Sequence, residues 1–471
     1  MRIGLLSVVA FSCAALGQAA SPPSPDWTKV EPELLEHYLA LLRIDTTNPP
    51  GNETKAADYM KKVLEREGLE VKILGSDPAR SNLLVRLKGN GSKRPLLIMG
   101  HTDTVGVQPE KWSHPPFAAE RADGYVYGRG AIDDKDNAST GMMLMVLLKR
   151  LKVTLDRDVI FLAEAGEEGA SNFGIGYMIE NHWPEIEAEF CLAEGGSVVR
   201  RGGKVTHMMV ATTEKVGRGV RLVAHGPSGH GSRPLQTNAI VHLSQAVAKV
   251  AAWQPPMRLN DTTRTYFERL ATISTPEEAA RYNGLLNPAK TVEIQNYLAA
   301  NEPMHNSMLR TSISPTILKA GFRGNVIPSE AEATLDIRAV PDEDMTVFRD
   351  TMKKIINDPS VEIVTRTGVR GERMAPPPSR LDTVMFKALE AAQQRIYPDA
   401  ITLPTMSTGA SDKSPLQAKG VQTYGIGPMI DDEDGPKGFG AHSDQERIVE
   451  SALYAFLKYQ WEAVISVAAT H

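Results

Sequence analysis

The sequence predicts an α/β protein: a mixed sheet covered by helices on both faces, with a ferredoxin-like α+β domain inserted into it. Three observations predict this. Short, continuously apolar segments alternate with helical ones over the first two hundred residues, the pattern of strands buried on both faces. From Lys215 the order becomes strand, helix, strand, strand, helix, strand, the split arrangement of a ferredoxin-like domain. A chain of 471 residues also exceeds what a single hydrophobic core serves, so two or three domains are expected.

In chain order, Leu35, Tyr38, Leu39 and Leu42 recur at helical spacing. Thr46-Thr-Asn-Pro-Pro-Gly51 is a loop by its turn residues. A helix follows to Glu67, with Ala56, Met60, Val63 and Leu64 on one face and Gly68 as its stop. Apolar strands are expected at Leu69–Leu74, Asn82–Leu87, Pro95–Met99, Val159–Ala163 and Phe190–Ala193, with a helix from Ala138 to Leu151. In the second pattern, strand Val216–His225 leads to helix Asn238–Trp253, where Ile240, Leu243, Val247 and Val250 share a face. A polar helical stretch covers 259–309. Strands Thr316–Gly321 and Glu330–Arg338, helix Asp344–Asn357 and strand Val361–Thr367 complete the pattern. Met374-Ala-Pro-Pro-Pro-Ser379 reads as a return linker, and helix, loop, short strand and a final helix follow. The expected boundaries are a leader at 1–20, a first domain split into 21–212 and 371–471, and an inserted domain at 213–370.

The composition, 42% hydrophobic and 23% charged, excludes a disordered, collagen-like or coiled-coil chain. A formal net charge of −5 gives no electrostatic reason for nucleic-acid binding. Two cysteines, Cys13 and Cys191, make neither a disulfide scaffold nor a thiolate zinc site. Arg2, the apolar run Ile3–Leu16 and Gly17-Gln-Ala-Ala-Ser21 read as a secretory signal cleaved near Ala19 or Ala20. That run is short of the roughly 20 residues a spanning helix needs, and no lipobox precedes Cys13. The mature protein is expected to be secreted or periplasmic, without a membrane span. Asn52, Asn90, Asn137 and Asn260 begin glycosylation sequons.

Ligands of α/β sheets gather beyond the carboxyl ends of strands. Pro95–Met99 is followed by Gly100-His101-Thr-Asp103, and the Tyr125–Tyr127 turn by Gly128-Arg-Gly-Ala-Ile-Asp133-Asp134-Lys135. Val159–Ala163 is followed by Glu164-Ala-Gly-Glu167-Glu168-Gly169, and Phe190–Ala193 by Glu194-Gly195-Gly196. Near the C-terminus lies Gly438-Phe-Gly-Ala-His442-Ser443. Each segment delivers a carboxylate or an imidazole, and together the carboxylates would repel and raise one another's pKa values. Divalent cations remove that conflict. Imidazole and carboxylate ligands without thiolate suit zinc, and also cobalt or manganese. Two histidines and three carboxylates suffice for two ions if one carboxylate bridges.

These stretches resemble the zinc peptidase family of glutamate carboxypeptidase, aminoacylase, acetylornithine deacetylase, succinyl-diaminopimelate desuccinylase and yeast carboxypeptidase S. The resemblance lies in Thr46–Gly51, His101-Thr-Asp-Thr-Val105, Trp112–Phe117, Gly128–Lys135, Glu167-Glu168-Gly169, Glu194-Gly-Gly196, Gly229-His-Gly-Ser232, Asn325-Val-Ile-Pro328, Asp336-Ile-Arg338 and His442-Ser443, in the family's order. It implies that the first domain is a zinc-peptidase catalytic domain and the insert a lid and dimerisation domain. It implies two Zn2+ per chain, one on His101 and Glu194, the other on Glu168 and His442, with Asp133 bridging. Asp103 would hydrogen-bond His101 and fix its tautomer. Glu167 would be the general base toward a metal-bridging hydroxide, passing its proton to the leaving amine. His230 would reach the site of the neighbouring subunit of a homodimer as an oxyanion donor. Asn325 and Arg338 would bind substrate, Arg338 holding a carboxylate bidentately, and Gly409-Ala-Ser-Asp412 matches a substrate loop. A cis peptide is expected between Asp133 and Asp134. Asp336 is read as structural.

The implied reaction is hydrolysis of a peptide or N-acyl amino-acid amide bond next to a free carboxylate, as in a carboxypeptidase, dipeptidase or aminoacylase. Substrates would be small peptides or N-acyl amino acids; glutamate at position 194 is more typical of carboxypeptidases and acylases. Asp136, and Asp444-Gln445-Glu446 after His442-Ser443, depart from the family's pattern without removing a ligand. The insertion at 259–309 resembles the carboxypeptidase S-like branch. Two other classes compete: a non-catalytic binding protein on a peptidase scaffold, which would be expected to lose the base or a ligand, and a two-lobed solute-binding protein, which does not account for the strand-end carboxylates.

Overall fold

The structure, a computed structural model, describes residues 24–365 and 376–470. The leader at 1–20, the last two residues of the strand expected to reach Thr367 and the start of the return linker lie outside the described residues.

A ten-stranded mixed sheet dominates. Its centre is parallel: Val159–Glu164, Leu96–His101, Phe190–Ala193 and Gln422–Gly425 run in one direction, side by side. Val71–Leu74 and Asn82–Leu87 close one side in antiparallel pairing. The sequence runs of these strands are apolar without a break because both faces are buried. Leu96, Ile98 and Phe161 enter one core, packed by helices Trp27–Leu42, Glu53–Arg66, Lys135–Arg150 and Glu450–Ala468. Leu97, Met99, Ile160 and Leu162 enter the other, packed by Ile175 and Met178 of helix Ile175–Asn181, Ile186 and Leu416. The expected mixed sheet covered on both faces is what the structure shows.

The second sheet has five strands, all antiparallel. Ser312–Ala320 lies at one edge, then Glu330–Ala339, then Val220–His225, then Val361–Thr365. Burial here alternates: Val220, Leu222, Ala224, Ala331, Ala333, Leu335 and Ile337 face helices Ala239–Ala252 and Met345–Ile356. The strand expected over Val216–His225 is interrupted at Arg218 and Gly219, and the one expected from Thr316 begins at Ser312.

Helices of the 259–309 stretch form a small core of their own around Tyr266, Phe267, Tyr282 and Leu298. That core includes Leu403 and Met406 of strand Ile401–Ser407, which belongs to the large sheet. Arg269 also donates to the Thr402 carbonyl at 2.8 Å. Among the described residues no helix is long and apolar enough to cross a membrane.

Candidate metal centre

Three of the four strands of the parallel centre end in, or run directly into, a donor. His101 closes Leu96–His101 and is 1% exposed. Gly100 lets this end meet the first turn of helix Lys135–Arg150, because a Cβ at 100 would lie 2.8 Å from the Ala138 nitrogen. The close approach brings the Asp133–Asp134 segment, whose peptide bond is cis, against the strand; His101 N donates to Asp134 Oδ2 at 3.1 Å.

Asp133 stands between the two histidines. His101 Nε2 lies 2.9 Å from its Oδ1 and His442 Nε2 3.0 Å from its Oδ2. His442 Nε2 is also 2.9 Å from Glu168 Oε1. Donor atoms of His101, Asp133 and Glu194 all lie within 4.8 Å of one another, as do those of Asp133, Glu168 and His442, and those of His101, Glu167 and Glu168. The five expected ligands and Glu167 thus converge.

The charges are strongly coupled. Burial works to raise Asp133, but hydrogen bonds from His101 and His442 hold it well below the usual carboxylate range. Burial works against the His101 imidazolium, yet Asp103 and Asp133 push its pKa well up. Hydrogen bonds to Asp133 and Glu168 push His442 up to about 10. Burial, with Glu194, Asp412 and Glu168 nearby, pushes Glu167 up to about 9. Burial likewise raises Glu194. Carboxylates crowded this way fit divalent cations, and the all-imidazole and carboxylate donor set fits zinc, cobalt or manganese.

The chain matches peptidase family M20/M25/M40 over residues 97–464. It belongs to that family. The resemblance read from the ten sequence stretches is therefore borne out, and with it the reading as an enzyme. A probable carboxypeptidase S-like protein 2 of Dictyostelium discoideum is 29% identical over 71% of this chain and 64% of its own length. The human N-fatty-acyl-amino acid synthase/hydrolase PM20D1 is 27% identical over 83% of this chain and 75% of its own. Among solved structures, an M20 family metallo-carboxypeptidase from Sulfolobus solfataricus superposes with a TM-score of 0.70, 19% identity and coverage of 92% of this chain and 98% of that one.

Within this M20 chain, Asp103 meets His101 Nδ1 as expected, at closest range through its main chain. His101 Nδ1 is 3.0 Å from the backbone oxygen of Asp103 and 3.5 Å from its carboxylate. The carboxylate instead accepts from the Glu167 and Glu168 backbone nitrogens, both at 3.1 Å, and from Asn48 Nδ2 at 2.9 Å. Asp103 thus steers His101 mainly through its main chain, leaving Nε2 free to ligate, and fixes the Glu167–Glu168 turn with its side chain.

His230 and Asn325 are brought together: Gly229–His230 pairs with Val326–Ile327, and Gly231 N donates to the Asn325 oxygen at 2.9 Å. His230 is exposed and its Nδ1 accepts from Ser232 N at 3.1 Å. Arg338 Nε donates to Asp336 Oδ1 at 2.9 Å, so Asp336 orients that guanidinium. Among the described residues, no hydrogen bond or ion pair joins His230, Asn325 or Arg338 to the carboxylate cluster. Gly409 lies in the loop after strand Ile401–Ser407, and a Cβ there would make only ordinary contact.

Three contributors escaped the sequence reading. Arg129 and Glu446 form a buried pair at 2.6 Å, 2% and 0% exposed. Glu446 also accepts from the Gly130 and Ile132 nitrogens, and Arg129 donates to the Ser443 oxygen at 2.8 Å. Together they join the Asp133 turn to the His442 loop. Asn48, inside the recognised Thr46–Gly51 stretch, braces Asp103 and also donates to the Glu168 oxygen at 3.0 Å.

Proposed function

We propose that this protein is a secreted di-zinc hydrolase of amide bonds next to a free carboxylate, acting on small peptides or N-acyl amino acids. One observation carries the reading: a single carboxylate, Asp133, offers one oxygen to each of two imidazoles. An inner ion position would use His101 and Glu194, an outer one Glu168 and His442, with Asp133 common to both. Zinc bound there supplies a Lewis acid and a water of lowered pKa.

The chain's own groups supply the rest. Glu167 is near enough to His101 and Glu168 to be a ligand by distance alone. Asp133 and Glu194 already complete the inner set, however, and the Glu167 carboxylate makes no hydrogen bond or ion pair among the described residues. With cations offsetting the burial and carboxylate repulsion that raise its pKa in the metal-free chain, it would be free to accept a proton from the attacking water and return it to the leaving amine. Asp103 holds it by its backbone nitrogen. Arg338, its Nε committed to Asp336, keeps its remaining N–H groups for a substrate carboxylate. The relatives, a carboxypeptidase S-like protein and an N-fatty-acyl-amino acid synthase/hydrolase, are named for this class of bond.

A panel of C-terminal dipeptides and N-acyl amino acids tests the reading. Turnover should vanish with chelator and return with Zn2+; metal-independent turnover, or none on any member of the panel, overturns it. Export belongs to the same proposal: the mature chain should begin just after Ala19 or Ala20, as mass spectrometry of secreted protein would show. So does the homodimer, with His230 acting in the partner's site. It is supported by the exposed edge strand Ser312–Ala320, with Ile317 and Leu318 bare on it and Phe322 bare just beyond its end. Mixing inactive Glu167→Ala and His230→Ala chains should restore one working site per mixed pair. No recovery despite subunit exchange would remove the role in trans.

A further inference from the structure

Behind Glu194 lies a buried cation that the roles above leave unused. Lys413 is 2% exposed. Its Nζ donates to the backbone oxygen of Glu194 at 2.8 Å and to Ser411 Oγ at 2.6 Å, and lies 3.6 Å from Glu214 Oε2. Ser411 Oγ in turn donates to Glu214 Oε2 at 2.6 Å, and Ser411 N to Glu214 Oε1 at 3.0 Å. Glu214, 2% exposed, is the last residue of strand Lys204–Glu214. The ammonium is therefore anchored to the large sheet on one side and grips the peptide of Glu194 on the other.

The neighbouring glycine makes room for it. Gly195 has φ +101°, and a Cβ there would stand 2.8 Å from Lys413 Nζ. The Gly that follows Glu194 in the sequence is thus the slot through which Lys413 reaches the Glu194 carbonyl. No comparable grip from this network reaches Glu168 or His442 among the described residues.

Resting on the two-ion reading above, we propose that Lys413 is a positioning residue for Glu194 and sets the affinity of the inner ion position without affecting the outer one. A buried ion pair serving stability alone would not distinguish the two positions. Groups that orient a metal ligand from behind typically carry about 10–100-fold in metal affinity.

The test measures Zn2+ affinity by competition with a chromophoric chelator, in two backgrounds of the full chain. His442→Ala leaves the inner position, and His101→Ala the outer one. Adding Lys413→Met should weaken Zn2+ binding about 10–100-fold in the first background and leave it unchanged in the second. Ser411→Ala keeps the ammonium but loosens its anchor, and should act in the same direction by less; it carries the test if Lys413→Met does not fold. Equal weakening in both backgrounds, or none in either, overturns the inference while the two-ion reading stands. A parent chain that takes up no Zn2+ overturns both together.

Discussion

The two halves of the candidate metal centre differ in depth. On the inner side His101 is sealed at 1% exposure, ends a central parallel strand and faces Glu194, itself gripped from behind by Lys413. On the outer side His442 is 54% exposed, sits on a loop at positive φ, and meets Glu168 from a turn held by Asp103. Asp133, at 17% exposure, belongs to both. The inner donors are placed by sheet geometry and the outer ones by a clasp between remote loops. A site built this way should lose and gain its two ions separately.

The largest effect expected belongs to neither half. Glu167→Gln should lower kcat by about 10²–10⁴-fold while the chain keeps both ions, as elemental analysis would show; loss of an ion would return Glu167 to the ligands. Next comes the clasp. Glu446→Leu strands Arg129 in a buried site and should cost about 3–5 kcal/mol of stability, with the outer ion loosened more than the inner. Urea unfolding together with metal titration reads both, and equal loosening would erase the contrast. Third, graded chelation should remove the outer ion first, with dissociation constants at least about tenfold apart. The singly loaded Co2+ form should then share its absorption spectrum with loaded His442→Ala and not with His101→Ala.

The smallest effect is the pH dependence. Hydrogen bonds to Asp133 and Glu168 raise His442 to about 10 in the metal-free chain. Its pairing therefore stabilises that chain fully below the ordinary imidazole value, and the contribution fades as pH rises through about 10. A metal must displace the same proton, so the affinity of the outer position should increase with pH, by up to about tenfold per unit. Zn2+ competition on His101→Ala at about pH 6.5, 7.5 and 8.5 checks the sign; affinity that falls with pH contradicts it.

This contrast also explains what could be read from the sequence. His101, Asp133, Glu168 and Glu194 follow apolar strands or glycine-rich turns within a few residues, so local pattern sufficed to place them at one edge. The apolar runs likewise predicted a sheet buried on both faces. The clasp was not legible. Glu446 reads only as part of a variant pattern after His442, and nothing local says that it binds the turn at Arg129. Lys413 stood beside a loop matched to substrate binding, yet its contact with Glu194 spans more than two hundred residues. The 259–309 helices read as bulk added to the inserted domain; their amphipathic faces did not reveal that Leu403 and Met406 would complete their core.

The Arg129–Glu446 pair has a consequence for how the protein comes into being. Chains emerge N-terminus first, and segments tend to fold as they become available. When Asp133 has left the ribosome, Glu446, the residue that will fasten its turn, has still to be translated, as has strand Arg447–Val449, which pairs with Tyr125–Tyr127. A nascent chain stopped before residue 442 holds His101, Asp133, Glu168 and Glu194 but lacks an imidazole and the fastening. On the two-ion reading, the outer set of donors would therefore come together only after residues 442–449 have been added, later than the inner set of His101, Asp133 and Glu194.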